Sequence, residues 1–173
     1  MYVDQKTFNK LAQLVRSLEP DLVFTVLEVG ARPISNEQEP FYNLLQLFPG
    51  SRILAFEVDE ALCRELNEKC LVGVHYFPVA LGRDNEKRLL YETIHPMCSS
   101  LYQPDELILR SYNNLDVSKL KSVRSIDTCT LDTFMEQHGI SDADFIKIDV
   151  QGAELDVFKG GGKDATAGCL YRQ

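Results

Sequence analysis

The sequence predicts an α/β fold with a doubly wound, mostly parallel sheet and an antiparallel insertion before the last central strand. Three observations predict it. Apolar runs at residues 22–29, 52–57, 74–78 and 145–150 are nearly continuous, as in strands covered on both faces. Segments with helical spacing separate the first three, which is the alternation of a parallel sheet with right-handed crossovers. Acidic residues, Glu28, Glu57 and Asp149, stand at the ends of these runs, and that edge of an open α/β sheet is where ligands bind.

The elements follow in order. Phe8, Leu11, Leu14, Val15 and Leu18 recur at helical spacing before Pro20, so residues 1–20 read as an amphipathic helix that covers the sheet. Residues 22–29, L-V-F-T-V-L-E-V, form the first strand and run into Gly30-Ala31-Arg32-Pro33. A helix from Pro40 carries Phe41, Leu44, Leu45 and Phe48 inward until Pro49-Gly50 ends it. Residues 52–57 form the second strand, and Asp59 caps a helix that runs to Cys70. Residues 74–78 form the third strand, closed by a turn at 79–82. Residues 87–93 and 117–129 read as an antiparallel pair around a turn-rich segment. Thr130 caps a helix over 131–138, and Gly139 closes it. The strand at 145–150 alternates Phe145, Lys147 and Asp149 on one face with Ile146, Ile148 and Val150 on the other. Gly152 breaks it, and a helix follows over 153–159.

The main domain is therefore residues 21–160, and residues 161–173, with three consecutive glycines and no apolar run, read as a disordered or truncated tail. The chain has 173 residues and a net charge of −8 without a basic cluster. Nucleic acid and anionic membranes reward clustered Lys and Arg, so neither is expected as a partner. No stretch reaches the ~20 apolar residues of a membrane span, and the N-terminus lacks a signal-peptide core; the expected location is cytoplasmic. Cys63, Cys70, Cys98, Cys129 and Cys169 are odd in number with no metal-ligand spacing, which points to reduced, inert thiols and no metal.

Glu57 is placed to accept both hydroxyls of a ribose, with charge-assisted bonds worth about 1.5–3 kcal/mol each. The competing reading of Glu28 and Glu57 is a pair of solvated carboxylates. A pyrophosphate needs G-x-G-x-x-G at a helix N-terminus, whereas Val29 is followed by one glycine and then Ala31, Arg32 and Pro33. NAD and FAD are disfavoured. S-adenosylmethionine has no phosphate and carries a sulfonium cation, so it suits an acidic pocket and a looser turn. Asp149 is the first candidate for a base and His95, in the irregular loop, the second, with a solvated loop histidine as the alternative for His95. Lys147 shares a face with Asp149, where a structural ion pair competes with a role toward the acceptor. Glu154, a candidate for orienting the acceptor or its base, falls in the first turn of a helix, where the dipole favours a carboxylate in any case.

The motifs V-L-E-V-G-A, I-L-A-F-E-V-D, V-A-L-G, S-S-L, T-L-D-T-F and D-F-I-K-I-D-V-Q-G-A-E, in that order, resemble those of the FkbM-type S-adenosylmethionine-dependent methyltransferases. The resemblance covers about residues 22–161. It implies a Rossmann-like sheet of the class I methyltransferase type and methylation of a hydroxyl on a sugar or other secondary metabolite. It implies further that Glu28, Gly30 and Ala31, with Arg32 behind them, form the cofactor loop, Gly30 leaving room for the methionine moiety. Glu57 then holds the ribose, Val58 lies beside the adenine, Ala80 and Leu81 line it, and Asp149 faces cofactor and acceptor. Ser100 belongs to a stretch that the family places near the active site.

The C-terminal strands of the family have no counterpart after the last motif. The expectation is a sheet missing those strands, with an open apolar edge at residues 145–150 suited to homodimerisation. The alternative function is a non-catalytic cofactor-binding or interaction remnant.

Overall fold

A computed structural model of the chain describes residues 5–33 and 38–162. In chain order the elements are α1 (Gln5–Leu18), β1 (Thr25–Val29), α2 (Asn43–Leu47), β2 (Arg52–Phe56), α3 (Glu60–Lys69), β3 (Val74–Phe77), β4 (Ala80–Leu81), β5 (Lys87–Thr93), α4 (Glu106–Leu109), β6 (Leu120–Cys129), α5 (Leu131–Gln137), β7 (Phe145–Ile148) and α6 (Glu154–Gly160). The main sheet runs β3-β2-β1-β7 with every pair parallel. The fold is thus the mostly parallel, doubly wound α/β architecture that the apolar runs predict.

Alternation along the central strands explains the two layers. Leu27, Val29, Leu54, Phe56 and Ile146 face one side, where Leu131, Phe134 and Met135 of α5 and Val157 of α6 cover them. Val26, Ile53 and Ala55 face the other side, against Cys63 of α3 and Tyr42. Phe56, Leu27, Ile53, Val26 and Val29 are all under 2% exposed, and full burial of such a side chain is worth about 1.5–3 kcal/mol.

The insertion forms a second sheet, β4-β6-β5, in which β5 and β6 are antiparallel as expected. Ala80 and Leu81 were expected in a turn; they instead pair in parallel with Thr128 and Cys129 and join this sheet. Leu90, Leu101 and Ile126 of the insertion pack with Ala153 at the head of α6, which seats it on the main sheet.

The N-terminal helix departs from expectation. Leu11, Leu14 and Leu18 are 55%, 58% and 72% exposed, whereas Ala12 is buried, and the helix packs on α2. Apolar spacing gives a helix its stripe, but where the stripe points depends on the chain that follows. Among the described residues β7 pairs with β1 alone. Of the tail expected at 161–173, residues 163–173 lie outside the described residues, as does Cys169. No helix of the described residues is long and apolar enough to cross a membrane, and none of their His, Cys, Asp and Glu groups is arranged to hold a metal ion.

Candidate functional site

The carboxyl ends of β1, β2 and β7 meet at one edge of the sheet. The Gly30 and Ala31 N–H groups both donate to the Phe56 carbonyl, at 3.1 and 2.9 Å, and the Asp149 N–H donates to the Val29 carbonyl at 2.9 Å. These bonds carry the ladder one step past the strands and bring the loops together. Gly30 has φ +78°, and a Cβ there would stand 2.0 Å from the Asp149 carbonyl oxygen. A glycine is therefore demanded by the close approach of two loops. The Asp149 backbone takes the space a side chain would need, and Gly30 itself lines both cavities described below.

The chain beyond β7 is held by its own motif. Gln151 and Gly152 take positive φ, 57° and 99°, and Glu154 Oε1 accepts from the Val150 and Gly152 N–H groups at 3.2 and 3.1 Å. Glu154 thus ties the loop from inside the first turn of α6, and its carboxylate is not among the residues that line either cavity described below.

One cavity opens between the two sheets. Its enclosed volume is about 100 Å³, and it widens to solvent at its mouth. Gly30, Arg32, Glu57 and Val58 line it from the main sheet, with Asp149 at β7. Ala80, Leu81 and Ser100 line it from the insertion, with walls of Phe56, Val79, Leu90 and Leu101. Ser100 is fixed there by paired backbone bonds to Tyr91, and its Oγ accepts from the Tyr102 N–H at 3.0 Å.

Glu57, at 6% exposure, is not the solvated carboxylate of the competing reading. Its Oε1 accepts from the Asp59 N–H at 2.9 Å, and its Oε2 lies 3.5 Å from Arg32 Nε. Arg32 Nη2 also donates to Asp59 Oδ2 at 2.9 Å. Asp59 caps α3 through the Leu62 N–H, and this bond, followed by the Arg32 guanidinium, holds its carboxyl below the ordinary value.

A second, more polar cavity adjoins the first across Gly30, Arg32, Met97 and Asp149. Glu28, Ala31, Glu39, Tyr42, Tyr76 and Lys147 line it. Tyr42 Oη donates to Glu28 Oε2 at 2.8 Å and stands 3.2 Å from Tyr76 Oη. Burial raises the Glu28 pKa, against the Tyr42 hydrogen bond and the Lys147 charge, which lower it. Lys147 Nζ lies 3.8 Å from Glu28, 3.9 Å from Glu39 and 3.9 Å from Asp149. The Asp149 side chain is 43% exposed on the rim that both cavities share.

Most residues singled out from the sequence therefore meet at this edge. His95 does not: it is exposed, its N–H donates to the Val117 carbonyl at 2.8 Å, and it lines neither cavity. The turn at Pro96–Cys98 brings Met97 to the cavities and leaves His95 outside. Tyr42, Tyr76 and Met97 carried no signal in the sequence, since each reaches the site by packing across the chain rather than by a motif.

A parallel sheet with helices on both faces and a cavity at the carboxyl ends of its strands defines an open α/β domain with its candidate site at the usual edge. Residues 28–170 match the methyltransferase FkbM domain, and the chain belongs to that family. It is 31% identical over 163 residues to the 2-O-methyltransferase NoeI of Sinorhizobium fredii (strain NBRC 101917 / NGR234), over 89% of this chain and 63% of that protein. The chain thus spans 63% of the length of this relative. No solved structure matches it significantly.

Proposed function

We propose that this chain is an S-adenosylmethionine-dependent methyltransferase acting on a hydroxyl group of a sugar or other secondary metabolite. The observation that carries the reading is Glu57, a buried carboxylate on the wall of a mostly apolar cavity at the carboxyl edge of the sheet. That combination fits the cofactor: apolar walls suit an adenine, and a carboxylate accepts ribose hydroxyls. The glycine pattern after β1 gives no cradle for a pyrophosphate. The 2-O-methyltransferase relative supports an oxygen acceptor.

The chain's own residues supply binding and orientation. When bound, the cofactor supplies a methyl group on a sulfonium sulfur for in-line transfer. Phe56, Val58, Leu81 and Leu101 exclude water from the adenosine end. Glu57 would hold the ribose, and Asp149 lines the same cavity at its rim. Holding the acceptor oxygen in line is worth up to roughly 7–11 kcal/mol in ideal cases. Asp149 takes up the hydroxyl proton, a contribution of ~10²–10⁴-fold, while Gln151 Nε2 holds its Oδ1 at 2.7 Å.

Calorimetric titration with S-adenosylhomocysteine tests this reading. The wild-type chain binds it, and Glu57→Ala weakens binding by about 10–100-fold, the worth of a charge-assisted hydrogen bond. A folded wild-type chain that takes up none sinks the proposal and favours a non-catalytic interaction module.

A further inference from the structure

Arg32 stands where the two cavities join, lining both. Glu57 Oε1 is engaged by the Asp59 N–H, so Oε2 is the oxygen left for a ligand, and Arg32 Nε faces it at 3.5 Å. A carboxylate this buried needs a partner, and Arg32 is that partner here. On the cofactor reading above, from which this inference starts, ribose hydroxyls take over Oε2 and release Arg32 Nε. The guanidinium stays tethered by Asp59 at 2.9 Å, and its fork carries five donors in all.

A ligand with its nucleoside in the first cavity and a chain directed past Gly30 runs that chain by Arg32 into the second cavity. Cations there are already engaged. Lys147 is shared among Glu28, Glu39 and Asp149, and Lys69 pairs with Glu65 at 2.7 Å. An entering carboxylate therefore meets Arg32 as the cation that has just lost a partner, while an entering ammonium meets Glu39 and Asp149.

We propose that Arg32 exchanges Glu57 for the α-carboxylate of the methionyl moiety, and so distinguishes the whole cofactor from nucleosides that lack the amino acid. The fork of a guanidinium matches a carboxylate in a way a lysine does not.

The test titrates S-adenosylhomocysteine and 5′-methylthioadenosine into the wild-type chain, Arg32→Gln and Arg32→Lys. The second ligand keeps adenosine and thioether but has no amino acid. In Arg32→Gln, S-adenosylhomocysteine weakens about 10–100-fold, and 5′-methylthioadenosine holds or tightens because a competitor for Glu57 is gone. The ratio of the two dissociation constants is read within one variant, so a general loss of folded protein does not move it. Arg32→Lys gives an intermediate ratio and carries the test if Arg32→Gln does not fold. Equal weakening of both ligands, or an unchanged ratio, overturns the proposal while leaving the cofactor reading standing. A wild-type chain that binds neither ligand overturns both.

Discussion

Glu28 of β1 and Lys147 of β7 are register partners, and Lys147 Nζ stands 3.8 Å from Glu28 Oε1. The same row across the sheet continues through Ala55 to Tyr76. A charge pair and a tyrosine therefore share one row, with Ala55 between them, and Tyr42 bridges Glu28 and Tyr76 above that gap.

Burial raises the Glu28 pKa above its ordinary value of 4.5. The folded chain therefore holds this proton more tightly than the unfolded chain. The resulting stabilisation is complete below the ordinary value and is lost as pH rises through the folded one. Glu28→Gln keeps an acceptor for Tyr42 and removes the titration. Its advantage over wild type in urea denaturation grows with pH across that window, and a difference that stays flat with pH contradicts the assignment.

Lys147→Met leaves Glu28 short of a cation. Breaking a fully buried pair costs about 3–5 kcal/mol. Lys147 is 25% exposed, so about 1–3 kcal/mol at neutral pH is expected here. In a Glu28→Gln background the loss shrinks, which a double-mutant cycle reads directly.

Two glycines separate backbone strain from collision. Gly152 has φ +99° with nothing within 4 Å of the point a Cβ would occupy, whereas at Gly30 the Asp149 carbonyl oxygen would be 2.0 Å away. Gly152→Ala costs about 1–2 kcal/mol in thermal melts. Gly30→Ala has to part β1 from the loop after β7, so it loses more stability and S-adenosylhomocysteine binding with it. Equal melting temperatures would refute the close approach.

The insertion is pinned to α6 by Asp156. Its Oδ2 accepts from Tyr102 Oη at 2.8 Å and from Arg88 Nη1 at 3.4 Å. Tyr102→Phe removes one charge-assisted bond; because Tyr102 is 47% exposed, a loss of about 1 kcal/mol is expected, toward the low end for such bonds. Asp156→Ala also strips Arg88 of a buried partner and costs more. Chemical denaturation of both variants gives the order, and the reverse order rules out this arrangement.

Cys63 is 2% exposed, and its Sγ donates to the Glu57 carbonyl at 3.2 Å. Burial, with Glu57 and Asp59 nearby, pushes its thiol up to about 11. A thiol reagent at pH 8 labels Cys63 only on unfolding. Rapid native labelling of Cys63, located by peptide mapping, would show that the α3 face opens.

The strand at β7 was legible because Phe145 and Lys147 alternate with Ile146 and Ile148, and each set found its own layer. Glu57 was legible because a carboxylate at a strand end is informative whatever the neighbouring loops do. The roles of Gly30 and Glu154 were less so. Both residues meet backbone atoms brought near by the fold, Asp149 O in one case and the Val150 and Gly152 N–H groups in the other. The stripe Leu11, Leu14 and Leu18 misled because periodicity specifies a face without specifying what covers it. Ala80 and Leu81 misled because two residues are too few to show a period, and Thr128 and Cys129 supply their pairing from a distant strand.

The Thr25 N–H donates to Asp144 Oδ2 and the Asp144 N–H donates to the Thr25 carbonyl, across a separation of 119 residues. Pairings so distant in sequence make folding slow relative to a helical bundle of the same size. At synthesis rates of about 5–20 residues per second, roughly 6–24 s pass between the emergence of β1 and that of its β7 neighbour. Throughout that interval β1 has one flank without its final mate, so the strand that leads into Gly30 completes its pairing only late in synthesis.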